Sequence, residues 1–147
     1  ISLFDATIQQ IVALAILMPI VASMGGNAGT QALTVAVRAL AMREVSNINS
    51  LRVIWKETIV GALNGVAFAV VIGVVTFFWF KNMELAIIIA IAMVINLIVA
   101  GLFGAGIPIF LNRIGSDPAI SSTVLLTTVT DVIGFLVFLG LAATFLI

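Results

Sequence analysis

The carboxylate of Asp131 lies in an otherwise apolar run, residues 118–147, that carries no other charge. A charge at the centre of a membrane-spanning helix costs on the order of 3 kcal/mol on insertion scales, and such residues typically face a water-filled path. Thr123 and Thr127 precede Asp131 at intervals of four residues and therefore share its helical face. Thr130 lies beside that face. The spacing predicts a polar face that could hold or pass a cation.

Asp117 is a second carboxylate at the start of the same segment, 14 residues before Asp131. Fourteen residues span about 21 Å of helix and are close to four whole turns, so both carboxylates lie near one face. Asp117 also precedes Pro118, and aspartate as N-cap followed by proline is a common helix start. A capping role and an ion-binding role for Asp117 therefore both remain open.

A second set of polar residues occupies one face of the first apolar segment. Its members recur at helical spacing and are called the polar stripe below: Ser23, Asn27, Thr30, Gln31, Thr34 and Arg38. Gly25 and Gly29 form a small-xxx-small pair on the same segment, a pattern typical of close helix contact. The stripe could hydrogen-bond neighbouring helices, or it could line an aqueous path.

Composition places the chain in a membrane. The sequence is 63% hydrophobic and only 8% charged, whereas soluble domains carry about 25% charged residues. The net charge is zero, which gives no electrostatic basis for binding nucleic acid. Cysteine and histidine are absent, so thiolate and imidazole chemistry is excluded and no enzyme activity is expected. A bound metal would have oxygen ligands, which suit hard cations such as Mg²⁺.

Four apolar segments are each long enough to cross a hydrocarbon core of about 30 Å. They predict an all-α polytopic transmembrane helical bundle with helices at about 8–42, 53–80, 85–111 and 118–147. Basic residues concentrate at the first and third joints, which the positive-inside rule places in the cytoplasm. Both termini would then be exterior, and we expect a further helix upstream.

The middle segments carry isolated polar groups. Asn64 and Asn96 are predicted to hydrogen-bond neighbouring helices, as single amides in membrane bundles commonly do. Glu57, next to Lys56 near a segment end, is predicted to be a solvated interfacial group. Small residues suggest two close-packing faces: Gly61 with Gly65, and Asn96, Ala100, Gly104 and Pro108.

Two motifs together resemble a known family. Gly25-Gly26-Asn27-Ala28-Gly29-Thr30-Gln31, with Pro19 before it and Arg38-Ala39-Leu40 after it, is similar to a membrane helix of MgtE magnesium transporters. Asp117-Pro118-Ala119 and Thr128-Val129-Thr130-Asp131 resemble the last helix of that family. The resemblance covers residues 1–147 as one transmembrane pore domain. It implies five helices in the family, the first missing here, and cytoplasmic regulatory domains that would precede it.

The resemblance further implies a homodimer in the plasma (inner) membrane, with a pore on the dimer axis lined by the first and fourth segments. We expect Asp131 of both subunits and nearby backbone carbonyls, that of Thr127 among them, to hold hydrated Mg²⁺ through its water shell, with Asp117 as a further metal-site residue. The expected pore-lining residues are Asn27, Thr30, Gln31, Thr34, Thr123, Thr128 and Gly134. Membrane lipid would surround the dimer, and Mn²⁺ and Co²⁺ are left open as further ions.

Two other functions fit the same residues. A secondary transporter of a small solute or another divalent cation could use the glycine-rich stretch as a binding loop and Asp131 as an H⁺ or Na⁺ site. A purely structural membrane subunit would use the polar residues only to join helices. In that case, Asp131 would form a structural hydrogen bond with Gln31, Asn64 or Asn96.

Overall fold

The computed structural model describes residues 12–41, 50–81, 83–115 and 118–145. Within these ranges the chain forms four α-helices, in the order and close to the bounds that the sequence predicts. They are α1 (Val12–Ala41), α2 (Ser50–Phe80), α3 (Met83–Arg113) and α4 (Pro118–Phe145). The prediction of an all-α helical bundle is confirmed.

Three of the four described helices have the length and composition of membrane spans. Leu51–Phe80, Met83–Arg113 and Val124–Phe145 are each long and apolar enough to cross a bilayer. The 30 residues of α1 extend about 45 Å at 1.5 Å per residue, and the helix continues through Pro19. The polar stripe lowers the hydropathy of α1, and this distinguishes it from the other three helices.

Helix α3 lies at the centre of the bundle. It packs against α1, α2 and α4, whereas α2 and α4 make no contact with each other in the described part of the chain. Helices α1 and α4 pack together, and α1 touches α2 only slightly. The predicted small-residue face of α3 is confirmed as buried, and its members are Asn96, Ala100, Gly104 and Pro108.

A tight turn joins α2 to α3. Lys81 adopts a positive φ of 52°, and its backbone N–H donates to the carbonyl of Phe77 at 2.7 Å. A residue in this left-handed conformation commonly ends a helix, and the chain resumes as helix at Met83. The short connection makes α2 and α3 an antiparallel pair.

Glycines bring the backbones of α2 and α3 into direct contact. A Cβ on Gly61 would meet the carbonyl oxygen of Leu97, and one on Gly65 would lie 3.1 Å from the Cα of Val94. In the opposite direction, a Cβ on Gly101 would meet the carbonyl oxygen of Glu57. The predicted close packing at Gly61 and Gly65 is confirmed, because no larger residue would fit this helix separation.

Glu57 is buried in this contact, and the prediction of a solvated interfacial group is wrong. Only 7% of the residue is exposed. The physical reason is the close approach of the two helices at this point: because Gly101 has no side chain, the backbone of α3 lies directly against the α2 backbone at Glu57. The neighbouring Lys56, which suggested an interface, is itself exposed.

Candidate functional site

The polar stripe lies on the surface of the chain, on the side of α1 that faces away from α3. All six members are exposed, while the opposite face buries Val21, Gly25, Gly29 and Ala32. No side-chain hydrogen bond joins the stripe to another described helix. The stripe therefore does not connect helices within the described part of this chain, and its polar groups are directed outward.

Two hydroxyls of the stripe are oriented by their own helix. Thr30 donates to the carbonyl of Gly26 at 2.7 Å, and Thr34 donates to the carbonyl of Thr30 at 2.8 Å. Because each hydroxyl hydrogen is used within the helix, the oxygen lone pairs remain to accept hydrogen bonds from outside. The stripe thus presents acceptors, which suits contact with water molecules that surround a cation.

Asn27 and Gln31 also reach a cleft between α1 and α2. The cleft has a volume of about 290 Å³, and its other lining residues are Met24, Ala28, Asn64, Phe68 and Leu97. Asn64 is half-buried there and makes no hydrogen bond to a described residue, so its predicted bond to a neighbouring helix is not found. Three amide side chains therefore line one cleft, a convergence that the sequence prediction did not include.

On α4, Asp131 is half-buried and has no hydrogen bond or ion pair with a described residue. The alternative in which Gln31, Asn64 or Asn96 satisfies it is therefore not found in this part of the chain. One turn earlier, Thr127 and Thr128 are exposed. The carboxylate and two threonines thus remain accessible along the same part of α4.

The carbonyl of Thr127 is less available than its side chain. Thr130 donates its hydroxyl to the carbonyls of Leu126 at 3.0 Å and Thr127 at 3.2 Å. The Thr127 carbonyl also lies where the helix directs the N–H of Asp131 toward it. The exposed Thr127 hydroxyl is therefore the better ligand from this residue. Asp117 and the side chain of Thr123 lie outside the described residues.

One chain alone does not gather a set of acidic metal ligands in its described part. No group of three or more aspartate or glutamate residues lies close enough there to hold a metal ion. Glu57 and Glu84 are the other described carboxylates, and they belong to α2 and the start of α3. Any divalent-cation site centred on Asp131 needs further ligands from water or from another chain.

Asn96 occupies the junction of α1, α3 and α4. Its side chain is fully buried, and its Nδ2 donates to the carbonyl of Val21 on α1 at 2.9 Å. This confirms the predicted bond to a neighbouring helix. A Cβ on Gly25 would lie 3.0 Å from the Cγ of Asn96, and one on Gly134 would lie 3.2 Å from it. Both glycines therefore leave room for this amide.

Gly134 accordingly has a packing role that the sequence prediction missed. It is buried against Asn96, on the face of α4 that also buries Leu126 and Thr130. Its expected position in a pore lining stays a prediction. The sequence shows one asparagine on the third segment and glycines on the first and fourth segments. The spacing within each segment does not predict that these three residues meet.

Comparison with known proteins identifies the family of this chain. A family profile described as "MgtE: Divalent cation transporter" matches residues 18–141. The chain is 36% identical over 146 residues to the magnesium transporter MgtE of Bacillus subtilis, covering 99% of this chain and 32% of that protein. The magnesium transporters MgtE of Enterococcus faecalis and Thermus thermophilus are 34% and 35% identical, over 99% and 95% of this chain.

The chain spans about a third of the length of these relatives, 32% of the first two and 31% of the third. The matched family consists of divalent cation transporters and not of enzymes. The family match covers both polar elements described above, the stripe on α1 and the Asp131 region of α4. The chain belongs to the MgtE family of divalent cation transporters.

Proposed function

We propose that this chain forms the membrane pathway of a magnesium transporter, and that Asp131 holds the ion in transit. The observation that carries the proposal is the state of Asp131: a half-buried carboxylate within an apolar helix, with no hydrogen bond or ion pair to a described residue. Such a group is costly in a bilayer unless water or a cation solvates it. The relatives named above are magnesium transporters, and Mg²⁺ prefers oxygen ligands.

A homodimer would complete the site. One carboxylate does not balance the charge of a divalent cation, and the described residues of one chain form no group of three or more acidic ligands that could hold a metal ion. A two-fold axis beside α4 would bring two copies of Asp131 together, and two-fold dimers are the commonest closed oligomers. The same assembly would cover the exposed polar stripe of α1, which would otherwise face lipid.

The ion would be held through its water shell. Mg²⁺ loses water reluctantly and usually keeps several water molecules when a protein binds it. The exposed Thr127 and Thr128 on α4, and the acceptor oxygens of Thr30 and Thr34 on α1, can contact those waters. Selectivity would then follow from the size of the hydrated ion. Mn²⁺ and Co²⁺ are candidate competing ions because they too accept oxygen ligands.

The proposed setting is a multi-pass protein of the plasma (inner) membrane that passes Mg²⁺ down its gradient. The expected roles of Asp117 at the pore mouth, and of Asn27, Gln31, Thr123 and Gly134 in the pore lining, belong to this proposal. So does the participation of an upstream helix and of cytoplasmic regulatory domains. Surrounding lipid would contact the exposed apolar faces of α2 and α4.

The test is Mg²⁺ flux and Mg²⁺ affinity of Asp131→Asn in the full-length protein, reconstituted in liposomes. We expect flux and affinity to fall at least about tenfold, which corresponds to about 1.4 kcal/mol. Glu84→Gln is the matched control, since it also removes one carboxylate charge from each chain without changing the shape of the side chain, but at an exposed position at the start of α3. Unchanged flux and affinity in Asp131→Asn would contradict the proposal.

A second arm of the experiment separates passive flux from coupled transport. Liposomes with a Mg²⁺ gradient and no H⁺ or Na⁺ gradient should fill at the full rate if the pathway is passive. A flux that requires an H⁺ or Na⁺ gradient would favour the secondary transporter.

A further inference from the structure

We propose that Asn96 is a positioning residue for ion selectivity, because it sets the separation of α1 and α4 at the level of Asp131. This inference rests on the proposed function, in which these two helices border the ion pathway. Asn96 itself belongs to α3 and is fully buried, so it does not contact the ion. It acts through the two helices that it touches.

The contact with α1 is both polar and steric. The Nδ2 of Asn96 donates to the carbonyl of Val21 at 2.9 Å, which fixes the orientation of the amide because a carbonyl requires an N–H donor. One turn further along α1, a Cβ on Gly25 would meet Nδ2 and would lie 3.2 Å from Oδ1. The amide therefore contacts two consecutive turns of α1. Asn27, a member of the polar stripe, lies two residues beyond Gly25.

The contact with α4 is steric. A Cβ on Gly134 would lie 3.1 Å from Nδ2 and 3.2 Å from Oδ1, closer than ordinary contacts of about 3.5–4.0 Å. Gly134 follows Asp131 by three residues, about 4.5 Å along the helix. The amide of Asn96 thus separates the two helices less than one turn from the carboxylate.

The remaining polar atom of Asn96 points to a role beyond stability. Its Oδ1 is buried and has no hydrogen-bond partner in the described part of the chain. A buried acceptor without a partner costs free energy, so stability alone gives no reason for an asparagine at this position. We therefore attribute the asparagine to its directional hydrogen bond. The bond from Asn96 on α3 to the Val21 carbonyl fixes the position of α1 relative to α3.

The experiment exchanges side-chain sizes across the junction and measures the selectivity for Mg²⁺ over Ca²⁺. Gly25→Ala should displace α1, since its Cβ would meet the amide, and Asn96→Ala should remove the bond to Val21. Each single change should reduce the discrimination of Mg²⁺ over Ca²⁺ at least about tenfold, because misplacing a binding group by about 1 Å commonly costs that much or more. The double variant should recover part of this discrimination, since the alanine side chain fills space that the amide leaves.

Gly106→Ala is the matched control, because it lies on α3 with Asn96 and a Cβ there would meet nothing within 4 Å. Its selectivity should equal that of the parent protein. Asn96→Ser should also reduce discrimination, because its shorter hydroxyl does not reach the Val21 carbonyl and donates within its own helix instead. This variant also provides a measurement if Asn96→Ala fails to fold.

Two results would overturn the inference. One is a lower thermal stability of Asn96→Ala or Asn96→Ser with unchanged Mg²⁺/Ca²⁺ discrimination, which would assign the residue to stability alone. The other is the absence of any recovery in the double variant. Asp131→Asn separates this failure from failure of the proposed function: if it too leaves Mg²⁺ affinity unchanged, the ion does not pass beside Asp131.

Discussion

Substituting Gly101 with alanine should weaken the contact between α2 and α3. A Cβ at this position would lie 3.0 Å from the carbonyl carbon of Glu57 and 3.3 Å from the Cα of Thr58, and it would approach the Glu57 oxygen more closely still. These atoms are backbone, so no side-chain rotation relieves the overlap. The helices must separate by several tenths of an ångström or more to restore contacts of about 3.5–4.0 Å.

Overpacking of this kind typically costs about 1–3 kcal/mol, and we expect that loss in the free energy of unfolding of Gly101→Ala. The assay is denaturant titration in detergent micelles followed by tryptophan fluorescence. Both tryptophans of the chain, Trp55 and Trp79, belong to α2, so the signal reports on the helix that would move.

Gly106→Ala, five residues along the same helix, is the control because a Cβ there meets nothing within 4 Å. The same glycine-to-alanine change should leave the stability unchanged or raise it by up to about 1 kcal/mol through helix propensity. Equal stabilities of Gly101→Ala and Gly106→Ala would refute the reasoning, since the two positions differ only in the space around them.

Two further predictions concern α1 and α4. Gly29→Ala should destabilise the contact between these helices because its Cβ would lie 2.9 Å from a δ carbon of Leu126. Adding Leu126→Ala should reduce that loss of stability. A double variant with no recovery of stability would count against the contact. In the naturally cysteine-free chain, Thr127→Cys should react with a water-soluble maleimide and Mg²⁺ should slow the reaction. Leu136→Cys, also exposed on α4 but nine residues from Thr127 and therefore on the opposite side of the helix, should face lipid in the proposed dimer and react slowly at any Mg²⁺ concentration. Equal rates at both positions would contradict a water-filled path beside Thr127.

Helix positions could be predicted from the sequence because composition and joints determine them. The α2–α3 joint at Lys81 and the start of α4 at Pro118 coincide with charged or helix-starting residues. The small residues of the third segment also predicted a buried face. These small residues did not predict how many helices contact that face. In the structure α3 is central, because it packs against all three other helices.

The contacts of the polar residues could be predicted only in part from the sequence. The bond of Asn96 to a neighbouring helix was predicted, but its fit between Gly25 and Gly134 depends on helix separations that no spacing within one segment encodes. Glu57 was predicted incorrectly for the same reason, since its burial accompanies a close approach of α2 to Gly101 on another helix. Asp131 could be selected as a candidate site residue because a charge in an apolar run is informative without any partner, and its role stays a prediction.

The central claim is that two copies of Asp131 hold a hydrated magnesium ion on a dimer axis. The most direct measurement is an experimental structure of the full-length protein with Mg²⁺. We predict ion density on the two-fold axis between the two Asp131 carboxylates. The ion should lie about 4 Å from their oxygens, because a water molecule bound at 2.0–2.1 Å separates them. An Asp131 that faces lipid, or that is satisfied within its own chain with no ion beside it, would contradict the claim.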